Sequence, residues 1–325
     1  MKLAISLTLL TALLALASLM LGYAPLPPRA VLGGLVGAGD PQHVMVMQEI
    51  RLPRTALAVL VGATLGLSGA AMQGYLRNPL AEPGLIGVSG SAALGAVIAL
   101  QTGLAAAFAL ALPLTALLFA LGAVGLILLL AGPRGGSLTL ILAGIAVSAL
   151  AGALTSLALN LSSNPYATFE IVFWMMGSLA DRSLSHLALA APLIALGGAT
   201  LLTLGRGLDA LTLGEDGAQA LGISMTSLRL RLLFGTAAAV GAATAVAGAV
   251  GFVGLVVPHL LRPLCGARPS RLLWASALGG AAMLLTADIA VRLVLPERDL
   301  KLGVVMALIG APLFLHLIYK TRRAG

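Results

Sequence analysis

Long runs without a formal charge decide what this chain can become. Leu3 to Pro28, Thr55 to Leu76, Ser183 to Gly205 and Leu302 to Tyr319 contain no Asp, Glu, Lys or Arg. Each is close to or above the roughly 20 apolar residues that one helical crossing of a bilayer needs, so each reads as one span. Pro83 to Pro133 is too long for one crossing and reads as two, broken near Gln101, Thr102 and Gly103. Gly135 to Phe169 reads as one span plus an exit loop, LSSNPYATF. Leu232 to Leu261 holds a full helix and a shorter one, interrupted around Gly248 to Gly254, and Leu272 to Leu295 adds a last span despite its internal charges. The sum is about ten. Composition agrees, with 59% hydrophobic and 9% charged residues, against about 25% charged in soluble domains.

The fold class expected is therefore an all-α integral membrane protein, with residues 1–325 forming a single transmembrane domain. Lys2, the apolar run after it, and Ala15 and Ala17 at cleavage-site spacing resemble a signal peptide. That apolar region exceeds the usual 7 to 15 residues, which favours an uncleaved first helix. With the N-terminus inside and ten crossings, twelve basic residues fall inside (Lys2, Arg77, Arg134, Arg206, Arg229, Arg231, Arg262, Arg268, Arg271, Lys320, Arg322, Arg323) and seven outside (Arg29, Arg51, Arg54, Arg182, Arg292, Arg298, Lys301). The excess matches the positive-inside rule and puts both termini in the cytoplasm.

Several function classes drop out. The sequence pI of about 10.6 suggests nucleic acid, but the basic residues are scattered over both faces with no aromatic-interleaved run. Cys265 is the single cysteine, which removes an internal disulfide and a cysteine cluster. His43, His186, His259 and His316 lie on separate segments and make no metal-ligand pair, so no metal site is expected. None of the three lysines sits in a P-loop, and there is no G-x-S-x-G elbow. The chain reads as a non-enzyme, and any ATP chemistry must come from a partner.

Two patterns carry more. Gly62, Ala63, Gly69 and Ala70 repeat the spacing of Gly241, Ala242, Gly248 and Ala249, and RNPL at 77 is echoed by RPL at 262. Small residues also serve plain helix packing; as a repeat, they would make two five-helix halves inverted in the membrane. Gly205 to Arg231 is too charged to span and is punctuated by Gly214, Gly217 and Gly222. It reads as two short helices at the membrane surface, and a shaped loop of this length is more often functional than idle.

The run RLPRTALAVLVGATLGLSGAAMQGYLRNPLAEPGLIGVSG at 51–90, with WMMGSLADRS at 174, GEDGAQALGIS at 214, GFVGLVVPHLLR at 251, ADIAVR at 287 and DLKLGVVMALIGAP ending at 312, resembles the FecCD family. These are permease subunits of bacterial ABC importers for iron-siderophores, haem and cobalamin. The resemblance covers nearly the whole chain and implies a ten-helix protomer in the bacterial inner membrane. It also implies a homodimer, two cytoplasmic ABC ATPase subunits that hold the ATP and magnesium, and a periplasmic substrate-binding protein. No cofactor would be bound by this chain.

The same resemblance assigns roles. Arg51, Arg54 and Arg292 would receive acidic residues of the binding protein. Against this, Arg292 follows Asp288 by four residues, the spacing of an internal ion pair, and Arg51 and Arg54 sit where interfacial anchors sit. Gly214, Glu215, Ala218, Leu221 and Gly222 would couple to the ATPase. Asn78, Leu80, Ser137 and Leu138 would narrow the pathway on the cytoplasmic side, although Asn78-Pro79 is also an ordinary turn signal. Glu82 is expected to satisfy nearby backbone amides, and His259 to be packed rather than a ligand. A ferric siderophore is the first expectation for cargo, followed by haem and cobalamin. An ion-coupled secondary transporter using the Asp288 and Arg292 pair is the rival from another class.

Overall fold

The computed structural model describes residues 2–22, 24–108, 110–132, 135–162, 165–294 and 300–324, with the side chains of 85, 86, 137, 165–167, 317, 318 and 320–324 left out of that description. Its helices are α1 (Lys2–Met20), α2 (Pro28–Leu35), α3 (Pro41–Met45), α4 (Leu52–Leu76), α5 (Val88–Gln101), α6 (Leu104–Ala107), α7 (Ala111–Ala131) and α8 (Ser137–Asn160). After them come α9 (Pro165–Met175), α10 (Leu184–Leu202), α11 (Gly205–Leu211), α12 (Glu215–Ala220), α13 (Met225–Ala247), α14 (Val253–Leu261), α15 (Pro269–Val294) and α16 (Leu302–Ala324). A π-helical turn, Val46–Arg51, runs straight into α4. Among the described residues seven helices are long and apolar enough to cross a membrane; α5, the apolar part of α16 and the nine-residue α14 are shorter than a full crossing.

Most of the breaks fall where the charge gaps place them. Gly103, at φ +73°, separates α5 from α6, and α14 begins at Val253, within the expected interruption. The segment 161–169 differs: the chain is helical from Pro165, so the expected exit loop ends early and becomes α9. Proline fits the first helical position, where no amide donor is required; the same residue reads as a loop signal in sequence alone.

The helix α4 forms the centre, packed against α1, α10, α13, α14 and α15. Small residues let backbones touch there. A methyl on Gly66 would lie 2.0 Å from the Ser276 carbonyl oxygen, and one on Gly280 would lie 2.1 Å from that of Gly62. One turn further along, a Cβ on Gly69 would meet the Gly254 carbonyl at 2.0 Å, which locks α4 against α14. The repeated glycines thus sit on α4 and on α13 with its C-cap, Gly248, two buried helices that run in opposite directions. Each is followed by a break and a short helix entered through a left-handed residue, Gly87 at φ +70° and Phe252 at φ +68°.

The face carrying α11 and α12 also receives the end of α4 and the start of α15: Gly74 packs on Leu208, and Asp209 bonds Ser270. This loop face lies opposite a far face, where the end of α1, the entrance to α4 and the end of α15 meet.

Gly66→Ala should therefore destabilise the chain by about 3 kcal/mol or more through overpacking. Gly122→Ala, whose added methyl meets open space, should be neutral or gain up to about 1 kcal/mol of helix propensity. Thermal unfolding of the two variants in one detergent decides this, and equal midpoints would refute the close-packed crossing.

Candidate functional site

At the far face, α1 ends with carbonyls that have no helical partner. Arg51 donates to Leu19 O at 2.8 Å and Met20 O at 2.9 Å, and also to Ala24 O. Arg292 donates to Ser18 O at 2.9 Å, Leu21 O at 2.7 Å and Ser18 Oγ at 2.7 Å. Cations at a helix C-terminus also suit its dipole. Asp288 pairs with Arg54 at 2.9 Å and Arg292 at 3.0 Å, while Ser18 Oγ shares a 2.8 Å hydrogen bond with Thr55 Oγ1. The network therefore ties α1, α4 and α15 into one body.

Its burial bears directly on the docking expectation. Arg51, Arg54 and Arg292 are 4%, 9% and 4% exposed, and Asp288 is 1% exposed. A partner protein needs guanidinium groups it can reach, and these are turned inward on carbonyls and a carboxylate. The structure brings the three arginines together, as an internal scaffold rather than an exposed patch. Other cationic chemistry lies on the same face. A cavity of about 530 Å³ is lined by Glu170, Trp174, Asp181, Arg182, His186 and Lys301, and Arg29 is exposed at the start of α2.

Near the end of α4, α14 contains Pro258, which has no N–H to give to Gly254 O. Gln73 of α4 supplies the missing donor: its Nε2 lies 3.3 Å from Gly254 O and 3.3 Å from Leu255 O. Arg262 in turn donates to Gln73 Oε1 at 2.6 Å. At the other end, Glu82 Oε1 accepts from the Phe252 amide at 2.8 Å, as expected of Glu82, and its charge faces the positive end of α14. Sequence reading missed Gln73. The signal was there: it is the one amide side chain in the span Thr55–Leu76, and Pro258 follows Gly254 by one helical turn.

On the loop face, Ala218 is buried beneath α12, while Leu213 and Leu221 stand 71% and 63% exposed at its two ends. Gly214 and Gly222 turn the chain at φ +96° and +79° with open space beside them. Glu215 is half-buried and Asp216 exposed at the start of α12. The outward surface is thus Leu213, Gly214, Leu221 and Gly222, with Ala218 packing inward. Beneath it, Asp209 of α11 accepts from the Ser270 amide at 2.8 Å, Ser270 Oγ at 2.7 Å and Arg268 Nε at 2.8 Å. It caps α15 from another element. Burial raises its carboxyl, but these hydrogen bonds and the Arg268 charge outweigh that and hold it below its ordinary value.

Asn78 closes an Asx turn by accepting from the Leu80 amide at 2.9 Å, the local role that its position before Pro79 signals. Leu80 and Leu138 are exposed; the Ser137 side chain lies outside the described residues. No hydrogen bond joins the two segments among the described residues.

A family model described as the FecCD transport family matches residues 9–320. The chain is 39% identical to the Fe(3+) dicitrate transport system permease protein FecD of Escherichia coli K12, over 98% of this chain and 99% of that one. It is 41% identical to the hemin transport system permease protein HmuU of Yersinia pestis, over 84% and 83%, and 40% identical to the vitamin B12 import system permease protein BtuC of Escherichia coli, over 89% of each. A solved structure described as a metal-chelate type ABC transporter in an inward-facing conformation superposes with a TM-score of 0.87 at 37% identity, over 98% of this chain and 99% of that one.

Two expectations follow from the geometry. Asp288→Ala strands two buried guanidiniums and should cost about 3–5 kcal/mol in detergent thermal unfolding; a loss below about 1 kcal/mol would show the pairs to be idle. For Asp209, a depressed folded-state value means that its stabilisation is fully present above the unfolded-state value near 3.9 and is lost as pH falls through the lower, folded one. Amide hydrogen exchange in α11, corrected for intrinsic rates, should therefore accelerate below about pH 4, whereas Asp209→Asn should already exchange fast at pH 7. A pH-independent wild type and an unchanged variant would remove Asp209 as the anchor.

Proposed function

This chain belongs to the FecCD transport family, and from that premise we propose how it moves its cargo. It is the permease subunit of an ABC importer, a multi-pass protein of the inner membrane whose family works with ATPase and binding-protein partners. We place the loop face and both termini in the cytoplasm, and a second copy of this chain across the pathway. The cargo proposed is an iron complex, a ferric siderophore first. The observation that carries this is length of match: the FecD relative and the metal-chelate type transporter are both covered over 99% of their chains. The haem and vitamin B12 relatives keep haem and cobalamin as second readings.

In the proposed cycle, closure of the ATPase subunits seizes Leu213, Gly214, Leu221 and Gly222, with Glu215 at the helix start. Buried Ala218 passes the displacement inward to α11, and Asp209 passes it to α15 through Ser270. Asn78, Leu80, Ser137 and Leu138 then open or narrow the cytoplasmic side of the pathway. A binding protein docks on the far face. Since Arg51, Arg54 and Arg292 are spent internally, its acidic residues meet exposed Arg29 and the partly buried Arg182 and Lys301 of the cavity that Glu170 and Asp181 also line. Such contacts steer encounter and weaken with salt.

The test is uptake into proteoliposomes holding this chain, its ATPase and its binding protein, offered a ferric siderophore, haem and cobalamin in parallel, with and without ATP. ATP-dependent uptake of the siderophore alone is expected. Leu221→Asp removes an apolar contact worth about 1.5–3 kcal/mol and should lower that uptake at least about tenfold while leaving membrane insertion intact. Uptake driven by an ion gradient without ATP would overturn the importer reading, and unchanged uptake by the Leu221 variant would overturn the coupling surface.

A further inference from the structure

Between α1 and α15, where they leave the loop face, lies a cavity of about 440 Å³ to which the proposed transport cycle gives no ligand. It is lined by Leu3, Ala4, Leu264, Trp274, Ala275 and Leu278. It runs from Ser270 at the first turn of α15 to Leu278, eight residues or about 12 Å along the helix axis. Thr11 of α1 donates its hydroxyl to Leu278 O at 3.1 Å, which ties the two helices together at that residue. Such a slot, narrow, apolar and opening sideways from a transmembrane pair, matches the upper part of one acyl chain.

The mouth has the complementary charge. Arg271 lines it and is exposed, and Lys2 is exposed one residue before Leu3. The neighbouring Arg268 is already committed to Asp209, so that pair is neutral and leaves the positive charge of Arg271 and Lys2 unopposed. Trp274 is 60% exposed one turn deeper, at the level where indole rings favour the boundary between headgroups and hydrocarbon. Basic pockets between membrane helices recognise anionic headgroups.

We propose that this groove binds a single anionic phospholipid, with its phosphate on Arg271 and Lys2 and one acyl chain along Trp274. The site touches the proposed coupling path only at Ser270 and shares no residue with the pathway segments, so it stands whatever the cargo. Bound there, the lipid fastens α1 to the base of α15 at the same turn that Asp209 caps from the other side.

The chain has two tryptophans, Trp174 and Trp274, which gives a direct reading. In the full-length Trp174→Phe variant in nanodiscs, Trp274 fluorescence is titrated with chain-brominated phosphatidylglycerol or phosphatidylcholine. The anionic lipid should quench with an apparent affinity about fivefold higher, the worth of one basic side chain at a membrane surface. Arg271→Glu should abolish the preference while quenching by phosphatidylcholine persists, which shows the groove intact. Native mass spectrometry of the unaltered chain should retain one phosphatidylglycerol, lost in Arg271→Glu. Equal quenching by the two lipids would mean ordinary lipid contact, and no quenching by either would mean that protein, such as a second copy of this chain, covers the groove. A preference surviving Arg271→Glu, or one erased by millimolar inorganic phosphate, would also overturn the proposal.

Discussion

Hydrocarbon offers no water to an orphaned amide or carbonyl, and the break between α13 and α14 is where this chain meets that constraint most sharply. Phe252 adopts a left-handed conformation at φ +68°, which costs a bulky residue about 1–2 kcal/mol. Six residues on, Pro258 removes a helical donor. Both defects are repaired from one place, the end of α4 and the turn after it. Glu82 takes the Phe252 amide, and Gln73 supplies the donor to Gly254 O. The Gly69–Gly254 contact that brings these side chains within reach leaves no room for a methyl. A helix of nine residues, about 14 Å long and unable to cross a 30 Å core by itself, becomes a fixed attachment of α4.

That attachment determines what can move. The α4–α15 crossing is backbone against backbone at Gly62, Gly66 and Gly280, so neither helix slides on the other without overlap. With α14 fastened to α4, and α1 fastened to both α4 and α15 by the Asp288 network, four elements share one body. Its handle is Ser270, held by Asp209; its far end is Asp288, eighteen residues or about 27 Å along α15. α11 is thereby joined to the far face through one continuous helix, braced along its length by the close-packed crossing.

The sequence made the spans legible because charge is costly in lipid, and the gaps between charges follow directly from that cost. It made α14 legible as a short helix through the glycines at 248, 251 and 254. Position across the chain was less visible. Arg54 finds Asp288 at a separation of 234 residues, so only the Asp288 and Arg292 half of the network, four residues apart, showed in the spacing. An arginine at a span entrance looks the same whether it faces a partner, a headgroup or a buried carbonyl. Asp209 was hidden for the same reason: its partners lie about sixty residues away. Ala218 and Leu221 share one loop motif, and only the packing of α11 beneath α12 tells the inward residue from the outward one.

The far face consequently holds cations of two kinds. Those in the arginine network contribute to folding, because removing any carbonyl or carboxylate partner leaves a charge in a site that water does not reach. Those of Arg29, Arg182 and Lys301 lie at the surface or around a cavity, where an opposite charge adds little affinity but sets approach and register. A net charge of +8 is therefore a poor measure of how strongly this face attracts an acidic partner. Most of that charge near the far face is bound into the arginine network or lies beside Glu170 and Asp181, and interactions between exposed charges are screened by salt.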